Sequence, residues 1–323
     1  MSLRRDRGSI GYAAAVSPAS ATPDRRRVDA APARARELRH LLLRLLGDYW
    51  LSPSATIPST ALVDLMADFG VSSHGSRAAL ARLSKRGLLT SVRRGRRTYY
   101  GLTERAVAVL QDGARRFARF GAGDVEWDGR WRVVAFSVPE SIRPVRYVLR
   151  ERLRWLGFAP LYDGLWVSPW GSLDQVISTL RELNLETATA MYATPVESPE
   201  IGRHPVQAWD LVAAEEAYRQ FLATWSPWRD SVQAGDVGVA EALRLRTEIT
   251  GSWREFPNVE PDLPAELLPP HWLRADARQL FIDVYDGLGP IAELRVRQVV
   301  SSYTDDEDAK PRHHAVAYLA SLT

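Results

Sequence analysis

The chain has no cysteine among its 323 residues. That absence removes disulfides, thiolate zinc sites, iron–sulfur clusters and cysteine nucleophiles together, and it fits a reducing cytoplasm, which is the expected location. Lysine is almost as scarce, occurring only at Lys85 and Lys310, so arginine carries nearly all the positive charge. No apolar run comes near the roughly 18 residues that a membrane-spanning helix needs. Catalytic motifs are missing too: there is no glycine-rich phosphate loop, no Gly-x-Ser-x-Gly elbow, no HExxH and no spaced cluster of histidine and carboxylate. The six histidines are scattered, "GAGD" at Gly121 to Asp124 is too short for a nucleotide motif, and pairs such as Glu215-Glu216 read as a solvated helix surface. These absences point away from an enzyme, a metal site and a bound cofactor.

One further absence is local. From Phe69 to Thr103 there is no acidic residue, while Arg77, Arg82, Lys85, Arg86, Arg93, Arg94, Arg96 and Arg97 give that segment eight positive charges. The whole chain has a formal net charge of +3, so the remainder sums to −5. A concentrated patch on a slightly acidic chain suggests a polyanionic partner facing one surface.

Around that patch the periodicity changes in a definite order. Leu38, Leu41, Leu42 and Leu45 recur at helical spacing, predicting a helix from Ala35 to Leu46 that ends before Gly47. A second helix is expected after Ser59, its candidate N-cap, stopping at Gly70. A third is expected from a cap at Ser72 or Ser73 to about Arg86, with Gly87 as its stop. Two short strand-like runs follow, "LLTSV" and "RTYYGL", around a turn in which Gly95 can take a positive φ. This is the pattern of a winged helix-turn-helix. Leu80, Leu83 and Ser76 share the packing face of the third helix. His74, Ala78, Ala81, Arg82 and Lys85 lie opposite, with Arg77 at the side and Arg86 at the end. Small alanines let such a helix approach a DNA groove, arginine can bond guanine bidentately, and a basic wing tip can lie on phosphates or enter the minor groove. The candidate DNA-binding residues are therefore His74, Arg77, Arg82, Lys85, Arg86, Arg93, Arg94, Arg96 and Arg97. The competing reading, that these charges only solvate an exposed helix and hairpin, does not explain why caps, stops, wing and missing acids coincide.

The remaining chain divides by composition. Residues 1–33 are rich in Ala, Arg, Ser and Pro without hydrophobic period, as in a disordered tail. A twin-arginine export signal at Arg4-Arg5 is the competing interpretation, but its apolar stretch is short and weakly hydrophobic. Residues 121–196 read as strand, helix, hairpin at Asp163-Gly164, helix and strand, a βαββαβ order. "VESPEIGRHP" is a plausible linker. Residues 205–310 carry helical periods, including a helix over "RADARQLFIDVYDGLG", and residues 311–323 are expected to be a frayed tail in which His313-His314 is no metal site.

Four segments, "SRAALARLSKRGLL", "GRRTYYGLTERA", "WDGRWRVVAFSVPE" and "LRWLGFAPLYDGLWVSP", together resemble the PaaX family of bacterial transcriptional regulators. The resemblance runs from about Ala35 to the end. It implies an α+β chain made of a winged helix-turn-helix (residues 34–120), a central ferredoxin-like domain similar to Cas2 and a helical C-terminal domain. It also implies a homodimer that binds double-stranded operator DNA and is released by an acyl-coenzyme A effector, typically phenylacetyl-CoA. The effector-binding residues stay unassigned, since Trp155, Trp166, Trp170, Trp209, Trp225 and Trp228 fit a core or interface as well as a ligand wall. Cas2 nucleases carry an aspartate at the end of their first strand. Here that position falls at Ser137, which disfavours nucleic-acid cleavage by the central domain.

Overall fold

Leucine spacing sets the first element of the computed structural model, which describes residues 25–123, 126–195 and 202–322. Helix α1 (Arg25–Tyr49) buries Leu42, Leu45 and Leu46 completely, with Leu38 and Leu41 packed at the edge of the same core. It is longer than expected at both ends. It begins inside the segment read as tail, where Ala and Arg, both strong helix formers, dominate, and it runs through Gly47 because Asp48, Tyr49 and Trp50 are buried against the C-terminal part of the chain. Residues 1–24, including the alternative export signal, lie outside the described residues.

Next come β1 (Ile57–Pro58), α2 (Ser59–Ala67), α3 (Ser73–Lys85), β2 (Leu89–Arg94), β3 (Arg97–Leu102) and α4 (Glu104–Arg119). Strand β1 was not expected. It pairs antiparallel with β3, Ile57 opposite Tyr100, and leads straight into α2, so Pro58 takes the N-cap position and Ser59 is already helical. The sheet order is β1-β3-β2, the three helices and hairpin of a winged helix.

The central domain follows the expected order: β4 (Trp131–Phe136), α5 (Arg143–Trp155), β5 (Ala159–Tyr162), β6 (Leu165–Ser168), α6 (Leu173–Glu182) and β7 (Ala188–Ala193). All neighbours in the sheet β5-β6-β4-β7 are antiparallel, the ferredoxin-like arrangement. Period-two alternation assigns its faces. Val134 and Trp166 pack with Leu149, Leu153, Val176 and Leu180 of the two helices, while Trp131, Val133, Leu161 and Val167 pack with Trp127, Val206 and Trp209. The turn at Gly164 needs glycine, since a Cβ there would sit 2.6 Å from the Phe136 carbonyl oxygen. Of the expected linker, residues 196–201 lie outside the described residues.

The C-terminal part comprises α7 (Leu211–Ala234), α8 (Val239–Trp253), α9 (Phe256–Val259), α10 (Arg274–Ser301) and α11 (Val316–Ser321). Helices α7 and α10 continue through Pro227 and Pro290, so α10 overruns its expected end at Gly289 by twelve residues. An interior proline costs about 3 kcal/mol. Burial of Ala292, Val296, Val299 and Val300 beyond Pro290 offsets that loss.

The packing joins the winged helix and the C-terminal helices in one hydrophobic core. Trp253 Nε1 donates to the Phe117 carbonyl at 3.0 Å, Trp50 Nε1 to that of Ala309 at 2.8 Å, and Arg278 to those of Phe120 and Ala118. The expected frayed tail is corrected: residues 311–322 are held in place. Val316 and Leu319 of α11 are buried in that core, the Arg312 N–H donates to the Tyr49 carbonyl at 3.0 Å, and His313 Nδ1 lies 2.6 Å from Glu293. Six residues are too few for α11 to show a helical period, and only its neighbours reveal its apolar face. Among the described residues no helix is long and apolar enough to cross a membrane.

Candidate nucleic-acid interface

The third helix is fixed at its start by Ser72, whose hydroxyl accepts from the Gly75 N–H at 3.2 Å, and it is stopped by Gly87 at φ +67°. Ser76, Ala79, Leu80 and Leu83 are buried, and the Ser76 hydroxyl donates to the Ser72 carbonyl at 3.1 Å. That packing turns the opposite face outward: His74, Arg77, Ala81, Arg82, Lys85 and Arg86 are all exposed. None of these cations pairs with a carboxylate among the described residues. An uncompensated cationic helix face is what a polyanion would neutralise.

Sequence reading missed an extension of this face on α1. Arg36 and His40 are exposed opposite its buried leucines, while Arg39, three residues before Leu42 and seven before Leu46, is half-buried on the flank of the leucine face. The Arg39 guanidinium is held below the ordinary arginine range by desolvation first, and then by the positive charges of Arg86, Arg82 and Arg36. His40 is likewise pushed down, by desolvation and then by Arg44, Arg39 and Arg36. The charges that act on Arg39 from α3 are those of its C-terminal end, Arg82 and Arg86. The signal for the α1 residues was in "ARARELRH", where the basic residues alternate with the leucine face, but nothing local says which helix they approach.

The wing is a two-residue turn. Arg94 pairs with Arg97, and Gly95 sits between them at φ +61° while Arg96 does not take a positive φ, as a type II′ hairpin requires. Its four arginines are not equivalent. Arg93 donates from Nε to the Gly95 carbonyl at 3.3 Å within the turn, and Arg96 has no partner among the described residues. Arg94 instead pairs with Asp306 at 2.7 Å and lies 4.9 Å from the centre of the Tyr99 ring, and Arg97 donates to the Tyr303 carbonyl. Two of the four, Arg94 and Arg97, are thus turned toward the segment that follows α10.

In the central domain Ser137 follows directly on β4, exposed, as the sequence placed it. Its N–H donates to the Thr187 carbonyl at 2.9 Å, and its own carbonyl accepts from the Thr187 hydroxyl. No carboxylate occupies the position.

These elements define a class: a winged-helix protein whose third helix exposes a cationic face, joined to a ferredoxin-like domain and closed by helices that pack back on the winged helix. Residues 37–106 match the family model described as PaaX-like protein, residues 124–205 the PaaX protein central Cas2-like domain, and residues 209–298 the PaaX-like protein C-terminal domain. The chain is 26% identical over 259 residues to the transcriptional repressor PaaX of Escherichia coli (strain K12), an alignment covering 78% of this chain and 80% of that protein. It is also similar to the solved structure of an uncharacterized protein from Mycobacterium tuberculosis, with a TM-score of 0.48 and 23% identity over 72% of this chain and 89% of that one. The chain belongs to the PaaX family.

Proposed function

We infer that the chain is a transcriptional repressor that binds double-stranded operator DNA as a homodimer. The observation that carries this reading is the cationic face of α3, unpaired among the described residues and continued by Arg39 on α1 and by Arg93 and Arg96 on the wing. Arg77, Arg82 and Lys85 dock α3 in the major groove, with His74 at its leading end. Arg86 and Arg39 meet the phosphates at its other end, and Arg93 and Arg96 hold the wing to the backbone. A two-fold dimer reads a palindromic site whose half-site spacing is set by the central and C-terminal domains. The protein acts in the cytoplasm. It is released by an acyl-CoA, with phenylacetyl-CoA the first candidate, and controls aromatic or related catabolic genes. Release requires the thioester to bind the DNA-competent and DNA-incompetent forms with different affinity.

The test is a salt titration of binding to DNA from the gene's own upstream region against shuffled DNA, with and without phenylacetyl-CoA. Preference for upstream DNA, relieved by the thioester, supports the whole reading. Preference indifferent to the thioester keeps the repressor and discards this effector. Equal binding to both DNAs removes the repressor reading, and magnesium-dependent cleavage of either would restore the nuclease alternative that Ser137 argues against.

A further inference from the structure

The segment after α10 runs Asp305, Asp306, Glu307, Asp308, four carboxylates in succession, and it lies against the wing. It does not hang there loosely. The Tyr303 hydroxyl donates to Asp64 of α2, Ala309 is fully buried, and its carbonyl accepts from Trp50 Nε1 of the winged helix at 2.8 Å. Within the segment, Asp306 uses one oxygen to accept the Asp308 N–H at 3.2 Å, which leaves the other for Arg94 at 2.7 Å. The winged helix thus holds in place the carboxylate that occupies its own wing.

We propose that Asp306, fixed within the acidic run 305–308, is an intramolecular competitor for DNA phosphate: in the free protein it holds Arg94, with Arg97 on the neighbouring Tyr303 carbonyl, and a duplex engages the full wing only by displacing it. This rests on the DNA-binding reading above. A carboxylate and a phosphate oxygen offer a guanidinium the same charge-assisted bond, so the two compete for one donor. The exchange is accessible because the pair is not buried: the Arg94 and Asp306 side chains are 46% and 31% exposed, a setting in which ion pairs hold weakly. The wing therefore has two settings. Arg93 and Arg96 alone give weak contact on any duplex, and Arg94 joins them where a bound site pulls it from Asp306.

Asp306→Asn tests the competition, since its amide oxygen can still accept the Asp308 N–H while the charge is lost. The expected result is tighter binding to shuffled duplex, by about eightfold at 0.1 M monovalent salt, with log K falling more steeply against log salt by about 0.9, the signature of one added phosphate contact. Asp305→Asn removes the same charge from a neighbouring exposed residue and should leave the slope unchanged. In an Arg94→Gln background Asp306→Asn should do nothing. An Asp306→Asn slope equal to wild type, a slope change shared by Asp305→Asn, or a gain that persists without Arg94 overturns the proposal. Wild-type protein that binds no duplex would instead remove the DNA-binding reading itself, so the two failures are distinct.

Discussion

Replacing Arg93 and Arg96 together with alanine separates a wing that touches phosphate from one that only displays charge. Both side chains are exposed and neither meets a carboxylate among the described residues, so in the free protein they lose little on removal. Surface changes of this kind alter stability by no more than about 0.5 kcal/mol, and Gly95, which makes the turn, is untouched. The effect on DNA should be far larger. Each phosphate neutralised contributes about 0.9 to the slope of log K against log salt, so the double variant should lose about 1.8 per bound protomer. That corresponds to about 60-fold weaker binding at 0.1 M monovalent salt, shrinking to about fivefold at 0.4 M, because the lost term is counterion release. Operator and shuffled duplex should weaken alike, since phosphates carry no sequence. Fluorescence anisotropy over a salt series measures all of this with one labelled duplex. Lines parallel to wild type, whatever their offset, would refute the wing assignment.

Arg246 is fully buried, donates to the carbonyls of Tyr285 at 3.2 Å and His314 at 2.8 Å, and lies 3.9 Å from the Tyr285 ring centre. It is also the foremost positive charge acting on buried Asp48, whose carboxyl is raised chiefly by desolvation. Arg246→Ala should cost about 3–5 kcal/mol in urea unfolding, and a loss below 1 kcal/mol would show that Asp48 does not depend on it. The His314 imidazole is pushed down to about 4, by burial first and then by the charges of Arg246 and His313. Since an unfolded histidine takes its proton near pH 6.5, this contribution is complete above that value and is lost as pH falls from about 6.5 toward 4. His314→Gln should lose less melting temperature than wild type between pH 7.5 and 5, and parallel losses would contradict it. Trp253 stacks on Phe281 with ring centres 4.9 Å apart and bonds the Phe117 carbonyl, tying the C-terminal helices to α4. Trp253→Ala should cost about 3–5 kcal/mol and, by weakening the shared core, split one unfolding transition into two. An undivided transition with unchanged midpoint would argue against a shared core.

Much of the winged helix was legible because its signals are local. Ser72, Gly87 and Gly95 act through bonds and dihedrals within a few residues, and the leucine face of α3 is fixed by helical period alone. The βαββαβ order of the central domain was legible for the same reason, strands alternating at period two between helices. Strand β1 is two residues long and owes its existence to β3, some forty residues on, so no window around it shows a strand. The end of α10 was misplaced because Pro290 is a local stop signal that burial overrides.

The sequence by itself determined that this chain has no cysteine chemistry, that its positive charge gathers on one helix and one hairpin, and that Ser137, not a carboxylate, follows the first strand of the central domain. Only the tertiary structure decided which of those charges are free. Arg94 meets Asp306 across 212 residues of chain, and Arg97 meets Tyr303 across 206. Arg39 joins the patch only because α1 packs beside α3, and residues 311–322 are ordered only because the winged helix gives them a core to enter. Hydrophobic burial has no direction along the sequence and ion pairs form wherever the fold brings charges together, so neither leaves a period or a spacing to read.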